Sequence, residues 1–362
     1  MLEPARWATA DDDAALRELC RLSPIRGPVS YTLEREPDFF ALMALQGDEG
    51  GRVAVIGDGH RDIVAMAMMA PMRAWIGGEV RQSAYVGDLK VHPDHRNAGL
   101  AGRIVRFIGD ELKRQGIDLS SFLVLAGNPM LLRMETDDAP FGVRNLRAIR
   151  NFLVLFGSRR SRTADVTVSG ASRESIPEMI EVWNRVNGRR SFAPVLDQKL
   201  FARWLTSSLT LDDFRVARRG ERIVGFCAAW DASTIKQIRL LHLSPGLRIS
   251  TALYNLFARA LRRPRFPRPG QQLRFLYVAH ACAERPEDLE SLLAHFHNEY
   301  RQGGYLYMDL ALDRADPLVA ALRRFRSIKI DFELWEARTP GPLSGTRSAP
   351  VHDGAYFDMS LV

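Results

Sequence analysis

A chain of 362 residues is longer than one small hydrophobic core usually serves, so two domains are expected. Its 46% apolar content is that of a globular protein, and no apolar run approaches the ~18 residues of a membrane helix, which argues against a membrane partner. The net charge of +7 is almost wholly arginine, with five lysines among 50 basic residues. These arginines read as scattered, without the aromatic interleaving of a nucleic-acid face, so nucleic acid is not an expected partner.

The N-terminus carries Glu3, Arg6 and Asp11 to Asp13 where a signal peptide would be apolar, which predicts a cytoplasmic protein. Cys20, Cys227 and Cys282 are odd in number and far apart, as buried, reduced thiols would be. Glu3 to Thr9 reads as a first strand, and Asp11 to Asp13 cap a helix over Ala14 to Leu22. Pro24 to Pro37 is irregular and Asp38 to Leu45 helical. Arg52 to Ile56 and Asp62 to Ile76 form a hairpin about Gly57-Asp58-Gly59, and Gly77-Gly78 leads into a strand over Glu79 to Val91.

The stretch Tyr85 to Gln115, YVGDLKVHPDHRNAGLAGRIVRFIGDELKRQ, is the most informative in the chain. A strand ends in a polar turn, His92 to His95. A helix follows in which Leu100, Ala101, Ile104, Val105, Ile108 and Leu112 recur at three- and four-residue spacing. Asp110 is placed to pair with Arg106 and Arg114, and Gly116 ends the helix. The first N–H groups of such a helix lack partners and sit at the positive end of its dipole. Gly99, with the small Ala98 and Ala101, lets a diphosphate approach that backbone. Neither a Walker lysine nor GxGxxG spacing is present. Leu119 to Ala126 is a buried strand, Asn128-Pro129 starts a short helix through Met134, and Leu146 to Phe156 is a closing strand.

Arg-x-x-Gly-x-Ala after a strand ending Val-x-Pro resembles motif A of the GCN5-related N-acetyltransferase (GNAT) superfamily, and the order β-α-α-β-β-β-α-β-α-β matches that family. The resemblance implies that Arg96, Asn97, Ala98, Gly99, Leu100 and Ala101 hold the pyrophosphate of acetyl-CoA. It also implies that the peptide groups of Leu89, Lys90 and Val91, with Asn128 opposite, flank the pantetheine arm in a gap between splayed strands. Many relatives carry a glutamate followed by an aspartate on the cradle strand; here Gly87 takes the first place and Asp88 the second, which makes Asp88 the candidate base. The family's thiolate acid is a tyrosine seven residues after the asparagine, where this chain has Glu135, a candidate carboxyl or water-relay group. No metal is implied.

After the polar linker Gly157 to Ala164 the same order begins again without the same residues. Asp165 to Ser169, Arg173 to Asn187, Asp197 to Thr206 and a hairpin across Gly220 lead to two candidate cradles. One, Leu240 to Ser250, precedes a helix over Thr251 to Leu261. The other follows the strand Leu273 to Cys282, where Glu284, Glu287 and Asp288 surround Pro286 and oppose a diphosphate by like charge. His295 and His297 lie two apart on a helix and point to different sides. Tyr305 to Leu312, Pro317 to Phe325 and Ile328 to Trp335 give strand, helix and strand, and Ala355 to Val362 reads as a final strand.

The expected fold class is a mixed α/β (α+β) architecture of two tandem GNAT-like domains, each a mostly antiparallel sheet flanked by helices. The boundaries are 1–157 for the acetyl-CoA domain, 165–338 for a degenerate second domain, and 339–362 for a tail. The expected function is an acyl-CoA-dependent N-acyltransferase moving acetyl to an amine of a small molecule or peptide. The alternatives are a non-catalytic CoA-binding sensor of the same fold and an acyltransferase for longer chains.

Overall fold

From Ile63 to Ala70 eight consecutive residues are buried, as a strand covered on both faces requires. That strand is central to a computed structural model describing residues 2–59, 62–128, 142–161, 165–258, 260, 263–338 and 354–362. The first half contains β1 (Arg6–Trp7), α1 (Asp13–Leu22), β2 (Val29–Glu34), α2 (Phe40–Met43), β3 (Arg52–Gly57), β4 (Ile63–Ile76), β5 (Glu79–Val91), α3 (Leu100–Arg114), β6 (Leu119–Leu125) and β7 (Gly142–Leu155). The second contains β8 (Thr167–Gly170), α4 (Ile176–Asn187), β9 (Ala193–Pro194), α5 (Gln198–Trp204), β10 (Phe214–Arg219), β11 (Arg222–Trp230), β12 (Gln237–Leu243), α6 (Pro245–Ala258), β13 (Leu276–Ala283), α7 (Pro286–Tyr300), β14 (Tyr307–Asp313) and β15 (Ser327–Arg338).

The two halves share one 13-stranded sheet, ordered β1-β3-β4-β5-β6-β15-β7-β14-β13-β11-β10-β8, with β9 paired to β4. Each half's closing strand lies beside the other half's penultimate strand. Thus β15 pairs with β6 while β7 pairs with β14, and β7 and β15 run antiparallel along each other. Arg150 grips Asp331 across that seam with two hydrogen bonds, at 2.7 and 2.9 Å. The amphipathic helices cover the sheet. Leu16, Leu19 and Cys20 of α1 join a core shared by both halves, whereas Leu100, Ile104, Ile108 and Leu112 of α3 pack on the opposite face of β3 and β4.

Several expectations change in detail. Part of the irregular stretch after Pro24 is β2, which forms a separate ribbon with β12 of the second half, fastened by Arg239 on Glu34 at 2.9 Å. Because β12 stands outside the main sheet, Leu240 to Ser250 is not a cradle position. The ion pairs of α3 fall on Glu111, which meets Arg52 and Arg114, rather than on Asp110. Residues 355–362 make a single bridge, Ser191 to Ala355, and then a 3-10 turn, Met359–Leu361, instead of a strand. All three cysteines are free and buried, and burial pushes their thiols up, Cys282 to about 12.

Candidate active site

The site is organised by β5. Its partner β6 runs parallel to it for only two residue pairs, Ala84 with Ser120 and Tyr85 with Ser121, and then the two strands part. Beyond Tyr85 the β6-facing edge of β5 is unpaired among the described residues, which places Leu89, Lys90 and Val91 along one wall of the gap. A β-bulge falls there: the register against β4 slips between Lys90 and Gly87, and Asp88 adopts a left-handed φ of 52°. Asn128, at the far end of β6, is exposed, with its N–H donating to Leu125 O at 3.1 Å. Glu135 and the helix expected after Pro129 lie outside the described residues.

The turn after β5 ends at the entrance of α3. Asn97 and Gly99 both have positive φ, 67° and 71°, and Gly99 is the N-cap. Among the described residues no side chain caps this helix, and a Cβ built on Gly99 would have nothing within 4 Å. Arg96, Asn97, Ala98 and Gly99 are exposed, Ala101 is half-buried and Leu100 anchors the turn in the core. The entrance thus presents uncapped helix N–H donors beside a cation, a fit for a diphosphate.

The bulge carries a buried charge cluster. Asp88 accepts from Lys90 at 2.7 Å and from Arg35 at 3.0 Å, and Arg35 is 1% exposed. Burial opposes ionisation of Asp88, but Lys90 and Arg35 outweigh it and hold the carboxyl well below the usual range. A carboxylate so firmly anionic has little proton affinity at neutral pH, which runs against its expected role as general base. Gly87, which stands where relatives carry a glutamate, has no room for one: a Cβ there would lie 2.7 Å from the Tyr85 ring. The Tyr85 phenol reaches over that position. Burial, and next the Asp88 charge, push its pKa well up, although the Leu123 amide and Arg35 counteract. It therefore keeps its proton.

Two further buried groups come from the second half: Lys236, whose charge acts on Asp88, and Asp309, whose charge acts on Lys236. Lys236 donates to Met359 O at 2.7 Å and lies 4.5 Å from the Tyr277 ring; burial, and then Arg35, bring it down to about 7. Asp309 accepts from Asn151 at 3.1 Å, and burial pushes it up to about 7 against the opposing pull of Asn151 and Lys236. These are groups that can exchange protons near neutrality. The sequence reading missed Tyr85, Arg35, Lys236 and Asp309. One signal was available: where arginine so dominates, two of only five lysines, Lys90 and Lys236, sit here.

The second half repeats the geometry and fills it. β13 and β14 are parallel for two pairs, Leu276 with Met308 and Tyr277 with Asp309, and then part. The register of β13 against β11 also slips, and His280 has φ 54° at the place matching Asp88. Here the tail enters the gap. Asp358 accepts from His280 N–H at 2.8 Å, and Ala355 N–H donates to Asp313 at 2.9 Å. Among the described residues a cavity of about 20 Å³, of mixed polar and apolar lining, is left between β13, β14 and residues 355–359. The entrance of α7 is closed by its own Asp288, which accepts from Arg285 N–H at 3.1 Å and pairs with Arg219 at 2.6 Å. A second, apolar cavity of about 90 Å³ opens beside Tyr85 and Ser121, lined by Met72, Trp204, Phe357 and Leu361 among others.

The fold has counterparts. Residues 32–127 match the acetyltransferase (GNAT) domain family. By sequence the chain matches no curated protein. By structure, N-myristoyltransferase of Saccharomyces cerevisiae with bound myristoyl-CoA superposes with a TM-score of 0.65 at 10% identity, covering 99% of this chain and 90% of that one. A conserved protein of Enterococcus faecalis V583, described as a probable N-acyltransferase, aligns with a TM-score of 0.54 at 10% identity, over 94% of this chain and 73% of its own. The chain contains a match to the GNAT domain over residues 32–127 and has, as a whole, a two-lobed GNAT-like fold.

Proposed function

We propose that this protein is an N-acyltransferase that takes acetyl from acetyl-CoA to an amine of a small molecule or peptide, using one CoA site in the first lobe. The observation that carries this reading is the uncapped, left-handed entrance at Gly99 next to the open flank of β5. CoA supplies a thioester: the C–N bond forms as the C–S bond breaks, the amine loses a proton and the thiolate gains one. Arg96 and the first N–H groups of α3 hold the diphosphate, and Leu89, Lys90 and Val91 offer peptide groups to the pantetheine. Tyr85 holds the proton for the departing thiolate. Asp88 fixes Lys90 and Arg35 in place, and Lys236 with Asp309 accepts the amine proton through water.

Incubation with acetyl-CoA and a panel of amines tests the reading, with free CoA thiol and acetylated amine as the expected products. Competition among acyl-CoA lengths tests whether acetyl is the preferred group; a longer chain winning would replace it. The second reading, a CoA-binding sensor, is favoured by Gly87 in place of the family's glutamate. It predicts CoA binding with no product from any amine.

A further inference from the structure

The helix α6, Pro245–Ala258, has its most apolar side turned outward. Ile249, Leu253, Leu256 and Phe257 fall at positions i, i+4, i+7 and i+8, one stripe of a helix, and they are 65%, 55%, 71% and 58% exposed. The opposite side is the one that makes contacts. Tyr254 Oη donates to Pro264 O at 2.9 Å, Asn255 bonds the Phe266 backbone in both directions at 2.9 and 2.7 Å, and Ala258 is buried. These bonds clamp the loop 264–270 beside the helix and with it Arg265 and Arg268.

The charge around this stripe is one-sided. From residue 232 to residue 283 there is no Asp or Glu, and there are nine Lys and Arg, more than the +7 of the entire chain. The basic residues are little denser here than elsewhere; what sets the stretch apart is that no acid lies among them. Arg248, Arg265 and Arg268 are exposed and, among the described residues, have no carboxylate within 4 Å.

We propose that α6 docks this protein, as a peripheral protein, on the surface of an anionic lipid bilayer. An apolar helical stripe rimmed by arginines suits that surface, with the aliphatic side chains at the level of the upper acyl chains and the guanidinium groups among the headgroup phosphates. A second copy is the poorer occupant, because a two-fold interface here would bring two acid-free cationic segments together. No helix among the described residues is long and apolar enough to cross a membrane, so the docking is lateral. This inference does not depend on the acyl-transfer reading.

The test is co-sedimentation of the full chain with phosphatidylcholine vesicles, with and without phosphatidylglycerol, at low and high salt. Binding is expected to the anionic vesicles and to weaken as salt rises. Leu253→Asp with Phe257→Asp should abolish it with unchanged melting temperature, since both side chains are exposed. Neutralising Arg248, Arg265 and Arg268 to Gln should weaken it roughly a hundredfold. Equal binding to neutral vesicles, or none to either, overturns the proposal. So does a wild-type dimer by light scattering that becomes monomeric in the Asp variant.

Discussion

Two gaps in one sheet begin alike and end differently. β5 with β6 and β13 with β14 are each parallel for two residue pairs, each starts from a tyrosine, and each pair includes a bulged strand with a left-handed residue, Asp88 or His280. In the first, the helix that follows opens on an uncapped glycine. In the second, Asp288 caps the helix and Asp358 takes the bulge N–H. A shared backbone geometry therefore does not make two sites: the difference lies in which polar groups are already satisfied by the chain itself.

The comparison breaks first at the tail. Tyr356 is partly buried and packs against Trp183, with ring centroids 5.2 Å apart, so Tyr356→Ala should cost about 3 kcal/mol in chemical denaturation. Even with the tail loosened, titration with CoA should still give one site per chain, because α7 stays capped; a second site appearing would undo the contrast. Next in size, Gly99→Asp should weaken CoA binding at least a hundredfold, or about 2.7 kcal/mol, because it puts a side chain and a negative charge where a diphosphate must approach. Arg96→Ala should cost about tenfold in the same calorimetric titration. Unchanged affinity in Gly99→Asp would remove the site from this lobe.

Tyr85→Phe sharpens the chemical half of the comparison. It should lower turnover about tenfold to a hundredfold with little change in CoA affinity, while Tyr277→Phe, at the matching place in the filled gap, should leave the affinity for CoA alone. The smallest effect concerns the linker between the halves. His297 Nε2 accepts from Gly157 N–H at 2.8 Å, and burial, and then Arg160, bring this histidine from 6.5 down to about 4. The unfolded chain binds more protons between those values, so the contribution of His297 is present above pH ~6.5 and is lost as pH falls toward 4. His297→Gln should flatten melting temperature against pH across that window.

The strand, turn and helix around Gly99 were legible because their physics is local. A strand, a glycine able to take positive φ and an amphipathic helix are all written within Tyr85 to Gln115, and Gly99 does adopt φ 71°. Asp88 was legible as a residue but its pairing was not, since Arg35 lies 53 positions away in a stretch with no periodic signal. The tail was read as a strand because its alternation of apolar and polar residues is real. Its partners, Ser191, His280 and Asp313, are set by tertiary contacts that no local pattern encodes. The exchange of β7 and β15 was hidden for the same reason: each strand carries the right composition, and neither announces its neighbour.

That exchange has a consequence for synthesis on the ribosome. When β7 has emerged, the neighbour that separates it from β6 has not yet been made, since residues 156–326 must come first. At translation rates of roughly 5–20 residues per second the nascent first lobe waits about ten to thirty-five seconds with β6 unpaired on that side. An open strand edge held that long is a template for pairing with other chains. Ribosome-bound intermediates stalled near residue 300 should therefore be the aggregation-prone form of this protein, and the natural clients of a chaperone that covers exposed strands.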